Sequence, residues 1–489
     1  MKRCIVIMGM VLCLAESQAQ DLGRSRAHSA LDEFRKEARA DFENFRKKCM
    51  EDFLSFVRNP WKAFEAEAPV PVPEEKPLPP VKVPEEDSKP PVEDTPVPIE
   101  EVIQPQPTVP QPQPVVPIEE DNSNNAQMSF TFFGTSETVR FDTSRAPRLR
   151  SVDINEVATF LEKLENGKND NLIHDCLQIR EKRRLSDWAY LQMIKAIAET
   201  VYGKGTNDAE LLKAYVYGLS GYKMRIGQYG NTIKMLFASR NMIFGLPSFE
   251  VGKDNYYCEG NVFESMYICE AAFPQEKQMS LNIPKRQQFD MKESSSRTIS
   301  SKQYPDFKVS TSVNRNLLDF YSSYPTSCYG GDFMTRWAMF ANTPMQDEVC
   351  RTLYPQLKAK MEGCSELEKV SRLLNLLQTG LVYEYDDKVW GGDRAFFSEE
   401  TLYYPYCDCE DRSILLTRLV RDLLGLKCIL IYYPGHLACA VEFNEDVKGD
   451  YISLQGRKFI VCDPTYIGAP VGVTMKGMDN AKANVILLE

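Results

Sequence analysis

The sequence predicts an α+β protein, and three observations carry that reading. Residues 409–425 set Leu415, Leu416, Leu419, Val420, Leu423 and Leu424 on one helical face and close it with Gly425. KCILIYY (427–433) and HLACAVEF (436–443) then read as apolar strands around the turn Pro434-Gly435, and GRKFIVCDPTY (456–466) adds another. Upstream, residues 128–142 alternate like a strand, whereas 152–164 and 188–202 have helical spacing. At 489 residues the chain is long enough for about three domains.

The elements are justified in chain order. Residues 1–19 combine a basic start (Lys2, Arg3), a short apolar run and Ser17-Gln18-Ala19 as a small-x-small cleavage site. This pattern predicts a signal peptide and export to a periplasmic or extracellular, envelope-associated location. Residues 20–67 form an amphipathic helix: Leu31, Phe42, Phe53 and Phe64 recur every eleven residues, as do Phe34, Phe45 and Phe56. Eleven residues over three turns keep these side chains on one stripe of a straight or slightly right-handed helix, which Pro60 should kink or end. Such a stripe, over residues 28–64, predicts self-association or docking on a partner, the plainer alternative being that it packs back on its own domain. Its flanking Lys and Arg residues also suit contact with a membrane surface.

Residues 68–126 are rich in proline, with 17 prolines between Pro69 and Pro117, and residues 69–121 carry a net charge of −9. Polyproline II at about 3.1 Å per residue predicts a stiff acidic spacer. The acidic balance gives no support for nucleic acid as a partner. A first globular unit follows at 127–268, and short strand patterns (QMSLNIP, RTISS, DFKVSTSV) predict a β-rich connecting section at 269–345. In the last unit, 346–489, Ser365 and Glu368 offer a capping box for a helix that ends near Gly380.

Cys407 and Cys409 stand just before and at the start of the helix at 409–425. A thiol in the first helical turn feels the positive end of the helix dipole, which favours the thiolate; Glu410 and Asp411 oppose that. Of three histidines, only His436 lies in this unit, at the head of the strand HLACAVEF. Asp463, at the end of the strand GRKFIVC, is placed to orient that imidazole and leave Nε2 free. A metal site from Cys407, Cys409 and His436 lacks a fourth ligand. By strand alternation Ala438 and Ala440 share the face of His436, while Cys439 points away from it and Cys462 away from Asp463.

The order Cys409 in CED, His436 in GHLACAVEF and Asp463 in CDPTY resembles the transglutaminase-like superfamily of papain-like thiol enzymes, over about residues 365–466. That resemblance implies a catalytic domain with a helix packed on an antiparallel sheet, and acyl transfer through a thioester to water or to an amine. The expected mechanism has Cys409 as nucleophile, His436 as general base and acid, and Asp463 as its orienter. The backbone N–H of Cys409 would be one oxyanion donor, with Tyr403, Tyr404 and Trp390 as candidates for the second or for the cleft. Cys407 is a candidate redox neighbour. No metal, nucleotide or other cofactor motif stands out, so no cofactor is implied. The other reading is an exported assembly protein that uses these folds for binding.

Sliding 409–431 back by 204 residues aligns GTNDAELLKAYVYGLSGYKMRIG (205–227), with Leu211, Leu212, Val216, Leu219 and Gly221 coinciding with Leu415, Leu416, Val420, Leu423 and Gly425. The first unit is therefore expected to be a degenerate copy. Gly205 stands in the place of the cysteine, and no histidine follows it in the strands of that unit.

Overall fold

The computed structural model describes residues 21–73, 77–120, 126–167, 169–260 and 265–489. The expected signal peptide, 1–19, lies outside them. The chain is α+β, with two large antiparallel-centred sheets, each backed by a helix. Among the described residues no helix is long and apolar enough to cross a membrane.

The first helix, α1 (Asp21–Val57), stops three residues before Pro60, where the Trp61 indole donates to the Val57 carbonyl at 2.9 Å. Its last turns bury Met50, Phe53, Leu54 and Val57, and Phe53 stacks on Phe273. Phe34, Phe42, Phe45 and Phe56 remain exposed. The eleven-residue stripe is therefore split: its end packs on the protein's own body, as the plainer alternative had it, while Phe34, Phe42 and Phe45 stay free of it.

Strand β1 (Lys62–Glu65) then enters the first sheet, and the Pro-rich segment departs from the projecting spacer expected of it. Its backbone is extended, but it lies along the body and crosses both units. Short strands β2 (Thr95–Pro96) and β3 (Glu101–Ile103) pair with the two edges of the second sheet. Val115 and Val116 are buried near the first unit, where Val115 N–H reaches the Leu219 carbonyl. Proline is tolerated at sheet edges because no ladder donor is needed on the outer side, and an occupied edge cannot template aggregation. Gly221 (φ +98°) is required by this strap: a Cβ there would run into the Gln113 carbonyl.

In the first unit, α2 (Ile154–Asn166) packs on α1, and α3 (Asn207–Leu219) backs the strands β4 (Met224–Tyr229), β5 (Thr232–Ala238), β6 (Ser248–Val251), β7 (Asp254–Tyr257) and β8 (Ser265–Cys269). The order is β1-β8-β4-β5-β7-β6. The section at 269–345 is less β-rich than expected. It holds short strand pairs but also the helices Arg315–Ser322 and α4 (Thr335–Asn342).

The last unit contains α5 (Glu366–Gly380), capped by Ser365 Oγ accepting from Glu368 N–H, and α6 (Cys409–Leu424), closed by Gly425 in the left-handed region. Strands β9 (Lys427–Tyr433), β10 (His436–Glu442), β11 (Asp450–Leu454), β12 (Arg457–Cys462) and β13 (Asn484–Leu487) give the order β2-β11-β12-β10-β9-β13-β3. Cys428, Leu430, Leu437, Cys439 and Cys462 share a core with Leu415, Leu416 and Leu419 of α6, while Ala438, Ala440 and Val461 pack in a separate core.

In both units a helix precedes four strands in the spatial order first, second, fourth, third, with a fifth strand antiparallel beside the first. The β4/β5 hairpin pairs Tyr229 with Thr232, and the β9/β10 hairpin pairs Tyr433 with His436, at the same 204-residue offset.

Candidate active site

Asp408 is extended and ends the approach to α6, and its N–H closes the first turn on Asp411 Oδ2 at 3.1 Å. Cys409 follows, 2% exposed. Ser413 Oγ donates to the Leu437 carbonyl at 2.8 Å, tying α6 to β10. His436 begins β10 directly after Gly435, whose φ of +78° makes the tight turn.

The His436 ring places Nε2 2.8 Å from Asp463 Oδ2. Asp463 Oδ1 accepts from Thr465 N–H at 2.8 Å and Tyr466 N–H at 3.1 Å, so the Asp-Pro-Thr turn itself fixes the carboxylate. With Asp463 ionised, Nε2 carries the ring proton and Nδ1 presents the lone pair. Nδ1 is buried without a hydrogen-bond partner. The expectation of a free Nε2 is thus corrected: the nitrogens exchange roles, because β12 brings Asp463 to the far side of the ring. His436 and Cys409 line one cavity of about 20 Å³, room for a single water molecule, together with Trp337, Arg336 and Pro77.

The expected preference for thiolate at a helix start is also reversed. Burial, then Glu410 and Asp408, push the Cys409 thiol well above its usual range, against the opposing Leu437 N–H. The thiol donates to Glu410 Oε2 at 3.2 Å. Asp386, behind the same turn, is pushed up to about 8 by burial and then by Glu410.

Cys407 does not join this group. Its sulfur accepts from Arg412 Nε at 3.5 Å and faces the Val382 carbonyl, and all twelve described cysteines are free thiols. The trio Cys407, Cys409, His436 is accordingly not assembled for a metal, and Cys407 forms no disulfide with Cys409. Tyr403, Tyr404 and Trp390 stand apart from the Cys409 cavity. Trp390 and Tyr404 pack with Phe396, and their backbone N–H groups are spent on the Asp386 and Glu400 carbonyls. The candidate for a second donor is Trp337, which the sequence reading missed. It lines the cavity, is 3% exposed, and its Nε1–H has no partner. No motif marks Trp337; only the packing of α4 on α6 brings it in.

Beyond Arg336 and Asp393, which border the small cavity, opens a groove of about 360 Å³ lined by Tyr324, Phe340, Trp390 and Arg394. Glu399 lies in the helix flanking it, Ser398–Tyr403, and burial pushes it up to about 7 although Gln346 N–H donates to it. The unfolded chain releases that proton near pH 4.3 (roughly, as in free glutamate). The stability contributed by protonated Glu399 is therefore full below that pH and declines as pH rises through about 7. Thermal melts of Glu399→Gln should be flatter than wild type across this window, and parallel curves would refute the shift.

The strap closes the other side. Pro77 borders the cavity, Leu78 N–H donates to the Gly435 carbonyl at 2.8 Å, and Tyr383 Oη donates to the Leu78 carbonyl at 3.1 Å. Leu78→Pro removes that N–H without opposing the extended backbone. A net hydrogen bond of about 0.5–1.5 kcal/mol corresponds to roughly a 2- to 12-fold more open site. The rate of Cys409 alkylation by iodoacetamide, mapped by mass spectrometry, should rise by that factor; an unchanged rate would show that the strap does not control access.

At the 204-residue offset, the first unit holds Gly205, Thr232 and Glu259 in the places of Cys409, His436 and Asp463. Glu259 is bonded to Gln192 and Lys195. Although burial pushes its carboxyl up, Lys213 and Lys195 hold it below the usual range. A fixed ion cluster stands where the last unit has Asp463. Neither the family models nor the curated proteins compared with the chain give a match.

Proposed function

We propose that this chain is a cysteine-dependent acyl-transfer enzyme acting on protein or peptide amides, with a papain-like, transglutaminase-like last unit and a degenerate copy before it. The observation that carries the reading is the His436–Asp463 bond, which leaves Nδ1 buried and unpartnered on a residue that lines one cavity with Cys409.

Nδ1 takes the thiol proton as Cys409 attacks the amide carbonyl. The backbone N–H of Cys409 and the Trp337 indole N–H stabilise the oxyanion, and the imidazolium then protonates the leaving amine. Water or a second amine releases the thioester by the same steps. A neutral resting thiol suits this sequence, because the proton moves with the attack rather than before it. The aromatic groove beyond Arg336 would take the substrate's flanking residues. We further propose export through residues 1–19, with the exposed phenylalanines of α1 as a docking surface.

Iodoacetamide reactivity against pH, for wild type and His436→Ala, tests the pair. Peptide-amide hydrolysis and amine incorporation, with Cys409→Ala as control, test the chemistry. Identical alkylation profiles would refute the thiol–imidazole pair. The other reading, a binding module without catalysis, is favoured by the closure of the cavity by Pro77. A reactive, His436-dependent thiol with amide turnover would refute it.

A further inference from the structure

Helix α1 has two apolar faces, and its own body covers one of them. Met50, Phe53, Leu54 and Val57 turn inward, together with Arg46, which bonds Glu165 and Asp170. At about 100° per residue, the eleven-residue stripe points roughly a quarter-turn away from that face. On it Phe34, Phe42, Phe45 and Phe56 are 45–60% exposed, whereas Ala38 and Cys49 are half-buried. From Glu33 to Phe45 every described residue except Ala38 is exposed. A helix draws most of its stability from a packed apolar face, so this half of α1 lacks the support that its last turns have. A phenylalanine buries 150–250 Å², so the four rings leave roughly 400 Å² of apolar surface open on each copy. Doubled by a second copy and widened by the borders of the stripe, that reaches the roughly 1,000 Å² at which specific interfaces begin.

Two features select the occupant. The first is spacing. Phe34, Ala38, Phe42, Phe45, Cys49 and Phe53 follow one another at intervals of four, four, three, four and four residues, which read the same from either end. A reversed second α1 therefore meets the first layer by layer about a two-fold axis between Glu43 and Asn44. Phe42 lies on the partner's Phe45, Ala38 on the partner's Cys49, and Phe34 reaches the partner's Phe56. An eleven-residue period keeps a helix straight or slightly right-handed, and a partner helix stays in contact along it only with the same period. A second copy has that period by construction.

The second feature is charge. The border of the stripe away from the body carries Glu37, Asp41, Lys48 and Asp52, all exposed. Three acids and one lysine oppose an anionic lipid surface, which requires Lys and Arg beside the apolar face. In the reversed pairing the partner's Lys48 falls between Glu37 and Asp41, once on each copy, which offsets the approach of Asp52 to the partner's Glu37.

We propose that α1 is a homodimerisation helix that pairs antiparallel with α1 of a second copy through Phe34, Ala38, Phe42, Phe45 and Cys49. The proposal rests on the reading of the exposed phenylalanines as a docking surface and names their occupant. It does not depend on the chemistry of Cys409.

Sedimentation velocity and light scattering of the full chain test it. Wild type should have twice the mass of one chain. Phe42→Glu and Phe45→Glu should each run as a single chain and stay folded by circular dichroism, because both rings lie outside the body's core. Ala38→Cys, oxidised with glutathione disulfide, should join the partner's Cys49 and give a covalent dimer on a non-reducing gel, each bond releasing two molecules of glutathione. That link should vanish in Ala38→Cys/Cys49→Ala. A link that persists there, or a wild-type dimer joined through Cys49 of both copies, would mean parallel helices and overturn the pairing. A monomeric wild type, or a dimer untouched by both glutamate variants, as association through residues 1–19 would give, overturns the proposal outright. Co-sedimentation with phosphatidylcholine–phosphatidylglycerol vesicles separates the remaining outcomes. A monomer whose vesicle binding needs Phe42 keeps the docking reading with a lipid occupant, and a monomer that binds no vesicles refutes both.

Discussion

Asp463→Asn should lower kcat for a peptide amide by about 10⁴-fold while the protein stays folded, the loss expected when a triad's orienting acid becomes an amide. The asparagine carbonyl can still accept from the Thr465 and Tyr466 N–H groups that hold Asp463 Oδ1. Its NH₂ group, however, now faces Nε2, which lies 2.8 Å from Asp463 Oδ2. A donor facing Nε2 forces the ring proton onto Nδ1, and Nδ1 is the nitrogen needed as base. KM should change little, because Asp463 is 3% exposed and acts through His436 in the proposed mechanism. His436→Ala and Cys409→Ala should each fall to a similar background, and the double variant no lower, since residues that act as one unit do not add. A loss of less than tenfold in Asp463→Asn would sink the tautomer argument and the proposed mechanism with it.

The parts of this fold that depend on local pattern could be read from the sequence. The α6 face from Leu415 to Leu424, the Ser365 cap, the turn at Gly435 and the alternation of Cys439 against Ala438 are each set by neighbours a few residues apart. The order of Cys409, His436 and Asp463 was legible for the same reason: each sits at the end of a regular element.

What escaped depends on contacts between distant segments. Whether Nε2 or Nδ1 of His436 meets Asp463 is decided by how β12 lies against β10, which no spacing encodes. The Pro-rich segment read as a spacer because its composition excludes helix and sheet interiors. Its place as edge strands β2 and β3 depends on unoccupied edges elsewhere in the chain. Tyr403, Tyr404 and Trp390 were near Cys409 in sequence, but the short helix Ser398–Tyr403 turns them into their own aromatic cluster. Glu259 carries no signal of its own in the sequence, because a glutamate held by lysines resembles neither a histidine nor a cysteine.

Trp337→Phe should lower kcat by about 10²- to 10³-fold with little change in KM, the size of losing one oxyanion donor. The substitution isolates the N–H. A phenyl ring keeps the packing against Tyr432, whose ring lies 5.3 Å away at 27°, and it keeps α4 seated on α6. The indole Nε1–H makes no hydrogen bond in the resting protein, so its removal breaks nothing in the ground state and relieves an unsatisfied buried donor. Tm should therefore hold or rise slightly. The Arg336 guanidinium, 4.8 Å from the indole ring, loses some cation–π attraction but retains Phe333 at 3.7 Å and its bond to Asp393. A structural role for Trp337 would show as a lower Tm or a raised KM, and an oxyanion role as lost kcat alone. Only the second result fits an N–H kept dry and unpaired in a residue that lines the cavity with Cys409, because such a donor gains its partner when the carbonyl oxygen becomes charged.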